Sequence, residues 1–278
     1  ARDLLKTFVK KFKGSDLDKK GVKVSMFESG SMEGDDSSCA AYMDCILGRG
    51  PKYVFKNAKL RKYFNEVSMH SYWSSADTKK NAESYFADKY SKYSIAATEY
   101  CQMTDDKNTG VYDLISKEKN GTNGTSIKYG VAMANTIIDD LTIMNASEWD
   151  WWTACSYGTY TDGLIYLDKD NHENLDFSKR YYCLGNFSKF IKEGATRIAC
   201  SSGVENVKSA AFVNRDNSTV VVYVNNNDKK VSTTLDCTGK YAVYTTDRDN
   251  DIAKTNFGKA GKVNVTLPAT SVVTAVFE

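Results

Sequence analysis

The order of apolar and polar positions changes character along this chain. Leu4, Leu5, Phe8, Val9 and Phe12 recur at helical spacing, so the first dozen residues predict an amphipathic helix. Residues 21–27 (GVKVSMF) form a β-rich run. Residues 37–47 return to helical spacing, with Ala40, Met43 and Leu47 on one face. Residues 66–73 (EVSMHSYW) predict a strand and its C-terminal end, and residues 78–90 a helix carrying Ala82, Tyr85, Phe86 and Tyr90. Residues 94–101 predict a further strand. Residues 104–128 are polar and rich in Gly and Asn, which predicts a long loop. A helix is expected over 131–144 through Ala134, Ile137, Ile138 and Leu141, then a fourth strand over 148–155 bearing Trp149, Trp151 and Trp152. Residues 163–167 predict a short hairpin strand, and 179–192 a last helix with Cys183, Leu184, Phe187, Phe190 and Ile191.

From about residue 194 the period shortens. Residues 220–224, 231–235, 241–246, 262–267 and 271–277 read as short strands separated by turns rich in Asn, Asp and Gly. That spacing is the mark of an antiparallel β-sandwich. Two modules follow: a β/α unit over 1–193 and an all-β unit over 194–278. Four β/α repeats predict part of a parallel (β/α)8 TIM barrel, here its second half. In such a barrel chemistry sits at the C-terminal strand ends. Those ends are Glu28, residues 70–73, Glu99 with Tyr100, and Trp151 with Trp152.

Composition works mainly by exclusion. The 278 residues are 41% apolar and 26% charged, too apolar for a disordered chain. Lys and Arg number 37 against 35 Asp and Glu, a net charge of +2, so bulk electrostatics points to neither nucleic acid nor an anionic membrane. No run approaches the roughly 18 apolar residues of a membrane span. Aromatics are plentiful, with 18 Tyr, 12 Phe and 4 Trp, and this enriches the strand-end set.

Seven cysteines, at 39, 45, 101, 155, 183, 200 and 237, make an odd count with no Cys-x-x-Cys pair, and the only histidines are His70 and His172. A disulfide framework and a zinc site are both unsupported, and reduced, mostly buried thiols are expected. The phosphate-binding glycine motifs are absent too, so neither metal nor cofactor is implied. Six Asn-x-Ser/Thr sites (Asn120, Asn123, Asn145, Asn186, Asn217, Asn264) decide nothing about compartment in a chain this rich in Asn, Ser and Thr. The chain opens on a helix with no initiator Met and no signal peptide, as a segment cut from a longer protein would.

The strand-end residues form a carboxylate and aromatic set suited to a saccharide, since flat rings stack on sugars and carboxylates do acid/base or nucleophilic work. Glu99 follows the apolar run Ile95-Ala96-Ala97, and a carboxylate there is costly to bury unless used or paired. His70 reads either as a core histidine hydrogen-bonded at a strand end or as a partner of a sugar hydroxyl or nucleophile. Tyr72 and Trp73 read as barrel-core aromatics or as a subsite wall. Trp151 and Trp152 alternate across the strand, so one faces the barrel and the other the helices, with Trp151 assigned to the sugar. Tyr157 reads as a subsite residue or a solvated loop tyrosine, and Tyr100 as core packing.

Thr98-Glu99-Tyr100-Cys101, the Trp151-Trp152 pair, residues 162–166 (DGLIY) and above all residues 178–198 (SKRYYCLGNFSKFIKEGATRI) resemble glycoside hydrolase family 30 over nearly the whole chain. The resemblance implies a retaining glycosidase with a (β/α)8 barrel and an attached β-sandwich. It implies Glu99, at the end of the seventh barrel strand, as the nucleophile; the strand-end residues His70, Tyr72, Trp151, Tyr157 and Glu28 are then expected to bind substrate. The family's acid/base glutamate belongs to the fourth strand, typically in an Asn-Glu-Pro motif, and no Asn-Glu-Pro occurs here. The chain then corresponds to strands five to eight plus most of the sandwich. Glu28 and Glu33 are the nearest carboxylates to a substitute, and Glu28 at a fifth-strand end is expected to bind substrate rather than donate a proton.

The resemblance further implies a polysaccharide or oligosaccharide partner and a secreted or cell-surface location. A neutral xylan comes first as substrate, with β-1,6-galactan or β-glucan next. The glucuronate-gripping branch of the family carries arginines after its tandem Trp, whereas this chain has Thr153-Ala154-Cys155-Ser156. A half barrel would expose two edge strands and an apolar interior, so self-association or pairing with the missing N-terminal half is expected. Three other readings stand beside this one: a thiol hydrolase using Cys101 with His70, a non-catalytic carbohydrate-binding protein, and a structural protein with no ligand.

Overall fold

The computed structural model describes residues 2–22, 24–25, 28–32, 41, 43–44, 63–64, 66–109, 111–117, 125–157, 160–168, 170–171, 173–259 and 261–278. The chain divides into two compact units, Ala1–Tyr100 with Asp139–Trp151, and Cys101–Ile138 with Trp152–Glu278.

The first unit opens on α1 (Arg2–Phe12), with Asp3 in its first turn and Lys10 and Lys11 in its last, charges that suit the helix dipole. Val9 and Phe12 are buried among its described side chains, and Gly14 ends it at φ +79°, a conformation that glycine adopts freely. A short turn of helix, α2 (Asp16–Lys19), follows. Four parallel strands then lie in chain order: β1 (Ser29–Ser31), β2 (Glu66–Tyr72), β3 (Ser94–Glu99) and β4 (Glu148–Trp149). Between β2 and β3 runs α3 (Ala76–Tyr90), capped by Ser75, whose hydroxyl accepts from Thr78 N–H. Val67, Met69 and Ile95 pack with Ala82 and Phe86 of α3 in one apolar core. The pleat therefore sends His70 to the opposite face from Met69 and Ser71.

The second unit begins with α4 (Val111–Lys117) and α5 (Ile127–Thr142), whose last turn belongs to the first unit. A three-stranded sheet follows: β5 (Cys155–Tyr157), β6 (Ile165–Leu167) and β7 (Leu175–Phe177). Next is α6 (Lys179–Ser188). Arg180 on α6 is fully buried and donates to Gly163 O, Gln102 Oε1 and Tyr166 Oη, so the cation is not stranded. Gly130 on α5 lets the two helices approach: a Cβ there would lie 2.6 Å from Cys183 Sγ.

The sandwich holds β8 (Thr196–Ile198), β9 (Val207–Val213), β10 (Thr219–Asn225), β11 (Val231–Cys237), β12 (Tyr241–Thr246), β13 (Ala253–Gly258), β14 (Gly261–Leu267) and β15 (Ser271–Phe277). Six form one sheet in the order β13-β12-β15-β10-β9-β8, and β11 pairs with β14 as the second. Val221, Tyr223, Val243 and Val273 of the large sheet meet Val263, Val265 and Leu267 of the small one in a shared core. The outer face of the large sheet receives α6. There Asn186, fully buried, donates to Thr274 Oγ1 and accepts from Thr246 Oγ1.

The fold class read from the sequence, a TIM-barrel-like α/β part with a C-terminal sandwich, is the one observed. Four local expectations are corrected. The strand foreseen over 148–155 is β4, two residues long, and Cys155 opens β5 in a separate sheet. β4 pairs with β3 only through Ala96 and Ala97, and the ladder closes on Asp150 N–H donating to Ala97 O. The long loop foreseen over 104–128 contains α4, preceded by a turn in which Asp106 Oδ1 accepts from the N–H groups of Asn108 and Thr109. The terminal sheet also contains β8, β9 and β13, where burial alternates weakly or not at all. In the β-rich run at 21–27, the described residues 21, 22, 24 and 25 are not strand, and the first strand, β1, begins only at Ser29, after Glu28. Most of the 37–47 helix, Glu33 and His172 lie outside the described residues, and 41, 43 and 44 are helical.

Candidate functional site

Four of the residues singled out in the sequence meet around the C-terminal ends of β2 and β3; Glu28, expected at the C-terminal end of a strand, instead directly precedes β1. Glu99 is the last residue of β3, and its side chain is 32% exposed. Tyr72, last of β2, donates its hydroxyl to Glu99 Oε1 at 3.0 Å. His70 lies two residues back on β2, with its ring edge-on to Tyr72 and centroids 5.7 Å apart. Its Nε2 is 2.9 Å from Glu28 Oε2 and its Nδ1 is 3.8 Å from Glu99 Oε1. The first is a hydrogen bond, and the second is an ion-pair separation too long for one. Thr98 Oγ1 also donates to Glu28 Oε2.

The local sequence explains this convergence. Parallel strands in register place equivalent ends side by side, and His70 pairs directly with Glu99 after an irregularity at Met69/His70. Tyr72 is held from behind: its ring stacks on fully buried Tyr100 at 5.6 Å, tilted by 30°. Tyr100 in turn contacts Trp149 and Trp151 at 6.1 and 6.0 Å. Trp151 thus closes an aromatic chain that starts beside the carboxylate. Trp152 is 54% exposed. Tyr157 belongs to the second unit, where it is exposed on β5.

Sequence reasoning missed the support behind β2. Ser71, one residue from both His70 and Tyr72, donates to both oxygens of Asp140 at 2.7 Å. Lys79 Nζ lies 2.8 Å from Asp140 Oδ1 and Trp149 Nε1 donates to Oδ2 at 2.9 Å. Asp140 is wholly buried and Lys79 nearly so. The available signal was an aspartate on the apolar side of α5, beside Ile137 and Leu141. Thr98 was missed too, because only the pairing register brings it to Glu28.

Two further acids flank the sheet. Glu148 and Asp150 hydrogen-bond to each other, and desolvation holds both carboxyls above their usual range although much of each side chain meets solvent. Each also feels negative charge: Asp150 acts on Glu148, and Glu28 on Asp150. No group of three or more His, Cys, Asp or Glu able to hold a metal occurs among the described residues. A carboxylate partly open to solvent, oriented by a phenol and flanked by an imidazole, can act as a nucleophile toward an electrophilic carbon.

Residues 21–166 match the family model for O-glycosyl hydrolase family 30, and residues 194–275 that for the glycosyl hydrolase family 30 beta sandwich domain. Among solved structures, the chain is similar to a conserved exported protein from Bacteroides fragilis, at 22% identity and a TM-score of 0.72, over 94% of this chain and 57% of that one. It is similar to the glycoside hydrolase family 30 subfamily 8 xylanase Xyn30A from Clostridium acetobutylicum, at 20% and 0.64, over 93% and 57%. It is also similar to a GH30 endoxylanase from Clostridium papyrosolvens C71, at 20% and 0.65, over 100% and 70%. At these identities the likeness is one of fold, and the chain spans a little over half the length of the first two.

Proposed function

The chain belongs to glycoside hydrolase family 30, and from that premise we propose that Glu99 is the nucleophile of a retaining, endo-acting glycosidase. The observation that carries this reading is the Tyr72–Glu99 hydrogen bond with His70 beside it. Glu99 attacks the anomeric carbon, the bond from that carbon to the leaving oxygen breaks, and the oxygen takes a proton from a general acid. Water, giving its proton to the same group, then attacks the carbon and frees Glu99. Tyr72 fixes the carboxylate in one orientation. His70, held by Glu28, hydrogen-bonds substrate hydroxyls, and Trp151 contributes a stacking wall.

The proton donor is assigned outside this chain. No Asn-Glu-Pro stands in the sequence, and Glu28 is engaged by His70 and Thr98. The substrate class is a plant cell-wall β-glycan, with neutral xylan ahead of β-1,6-galactan or β-glucan, because no arginine follows Trp152 before the chain enters β5. Export from the cell follows from that substrate.

A 2-fluoro-glycoside inactivator tests the assignment. A covalent adduct on the peptide carrying Glu99, together with a loss of turnover by about three orders of magnitude or more in Glu99→Gln, is expected. No adduct while glycan still binds would make the protein a carbohydrate binder. A loss below tenfold would move the nucleophile elsewhere.

A further inference from the structure

α6 covers only part of the outer face of the large sandwich sheet. Asn186 pins it over Thr274 of β15, and the helix ends at Ser188. Phe190 then lies against Tyr244 of β12, ring centroids 4.6 Å apart. Further along the same face, Ala242 pairs with Val276 on one side and Phe257 on the other, and these three floor a cleft of about 580 Å³. Phe257 is 73% exposed. Lys240, Lys254 and Lys259 line the cleft with a single acidic side chain, Glu278. Lys254 Nζ stands 5.8 Å from the Tyr244 ring centre and 5.7 Å from that of Phe257, so an ammonium and two aromatic faces share one point of the cleft.

We propose that this cleft is an auxiliary glycan-binding site that takes a uronate-bearing saccharide. An exposed aromatic face receives the C–H face of a pyranose. An ammonium beside it receives a carboxylate on the same ring. A lysine is a point charge on a flexible stem and suits a lone carboxylate at variable position better than it suits a planar bidentate grip. Nucleic acid also stacks and carries charge, but tight binding of a polyphosphate needs several neutralised phosphates along a basic track. With a net charge of +2 and three lysines gathered in one cleft, a sparsely charged polymer fits better. The inference rests on the reading of the chain as a polysaccharide-acting protein. It goes beyond that reading by giving the sandwich its own ligand and by separating acidic side groups from the neutral site at Glu99.

Affinity electrophoresis of the full chain through gels containing glucuronoxylan, the same polymer with its carboxyls reduced, or single-stranded RNA tests the proposal. Retention on glucuronoxylan is expected, weaker by at least fivefold for Phe257→Ala, for Lys254→Ala and for wild type on the reduced polymer, and unchanged in Glu99→Gln. Phe257 and Lys254 are exposed, and circular dichroism checks that both variants fold. Equal retention of wild type and both variants, equal retention on the two polysaccharides, or stronger retention on RNA would overturn it. Phe257-dependent retention without a Glu99 adduct would leave this site standing and remove the catalytic reading. An adduct without such retention would do the reverse.

Discussion

Tyr72 and Glu99 end adjacent parallel strands, and the phenol donates to the carboxylate at 3.0 Å. A hydrogen bond to a charged group contributes about 1.5–3 kcal/mol. Part of that orients Glu99 before attack, so Tyr72→Phe should lower kcat by about 10- to 100-fold. The phenylalanine keeps the stacking on Tyr100. Steady-state kinetics beside a thermal melt checks this: a fall in kcat with little change in melting temperature is expected, and unchanged kcat would deny Tyr72 a positioning role.

Asp140 collects three donors in a site without water-facing surface, from Ser71, Lys79 and Trp149. Removing it strands a buried ammonium, which costs about 3–5 kcal/mol. Asp140→Ala should therefore lower the urea midpoint sharply. Lys79→Met with Asp140→Ala should cost less than the two single changes added together, because the stranded charge is gone. Additive losses would mean that the pair is not coupled.

Glu148 and Asp150 hold their protons to higher pH in the folded chain than unfolded carboxyls would, first through desolvation and then through nearby negative charge. The sign follows from linkage. Their stabilising contribution is present below the ordinary carboxylate pKa and is lost as pH rises through the raised values. Glu148→Gln should match wild type near pH 4 and exceed it at pH 7 by up to about 0.5 kcal/mol. Thermal melts across that range measure the slope, and a wild-type advantage at pH 7 would reverse the assignment.

Much of this was legible in the sequence, for identifiable reasons. The apolar run 95–97 marks β3, and Val67 and Met69 mark β2, because strands buried on both faces need little else to declare themselves. Glu99 and His70 were legible as polar residues closing those runs. The Asp140 network was not, since a strand's helix-facing serine and a helix's inward aspartate acquire meaning only once α5 packs behind β2. β13 escaped notice because its residues alternate between partly and fully exposed positions and leave no apolar stripe. The strand predicted ahead of Tyr157 stops at Trp149, because only Glu148 and Trp149 pair with β3.

The burial of Asn186 has a consequence for biosynthesis. Asn186-Phe187-Ser188 is a glycosylation signal, yet its amide is spent inside the molecule on Thr274 and Thr246. A sugar tree attached there would hold α6 off the sheet. In a host that decorates nascent chains, sequon modification and helix docking are rival fates of one side chain, and the first to occur determines whether α6 seats on the large sheet. Asn217 and Asn264 sit on the surface and carry no such conflict.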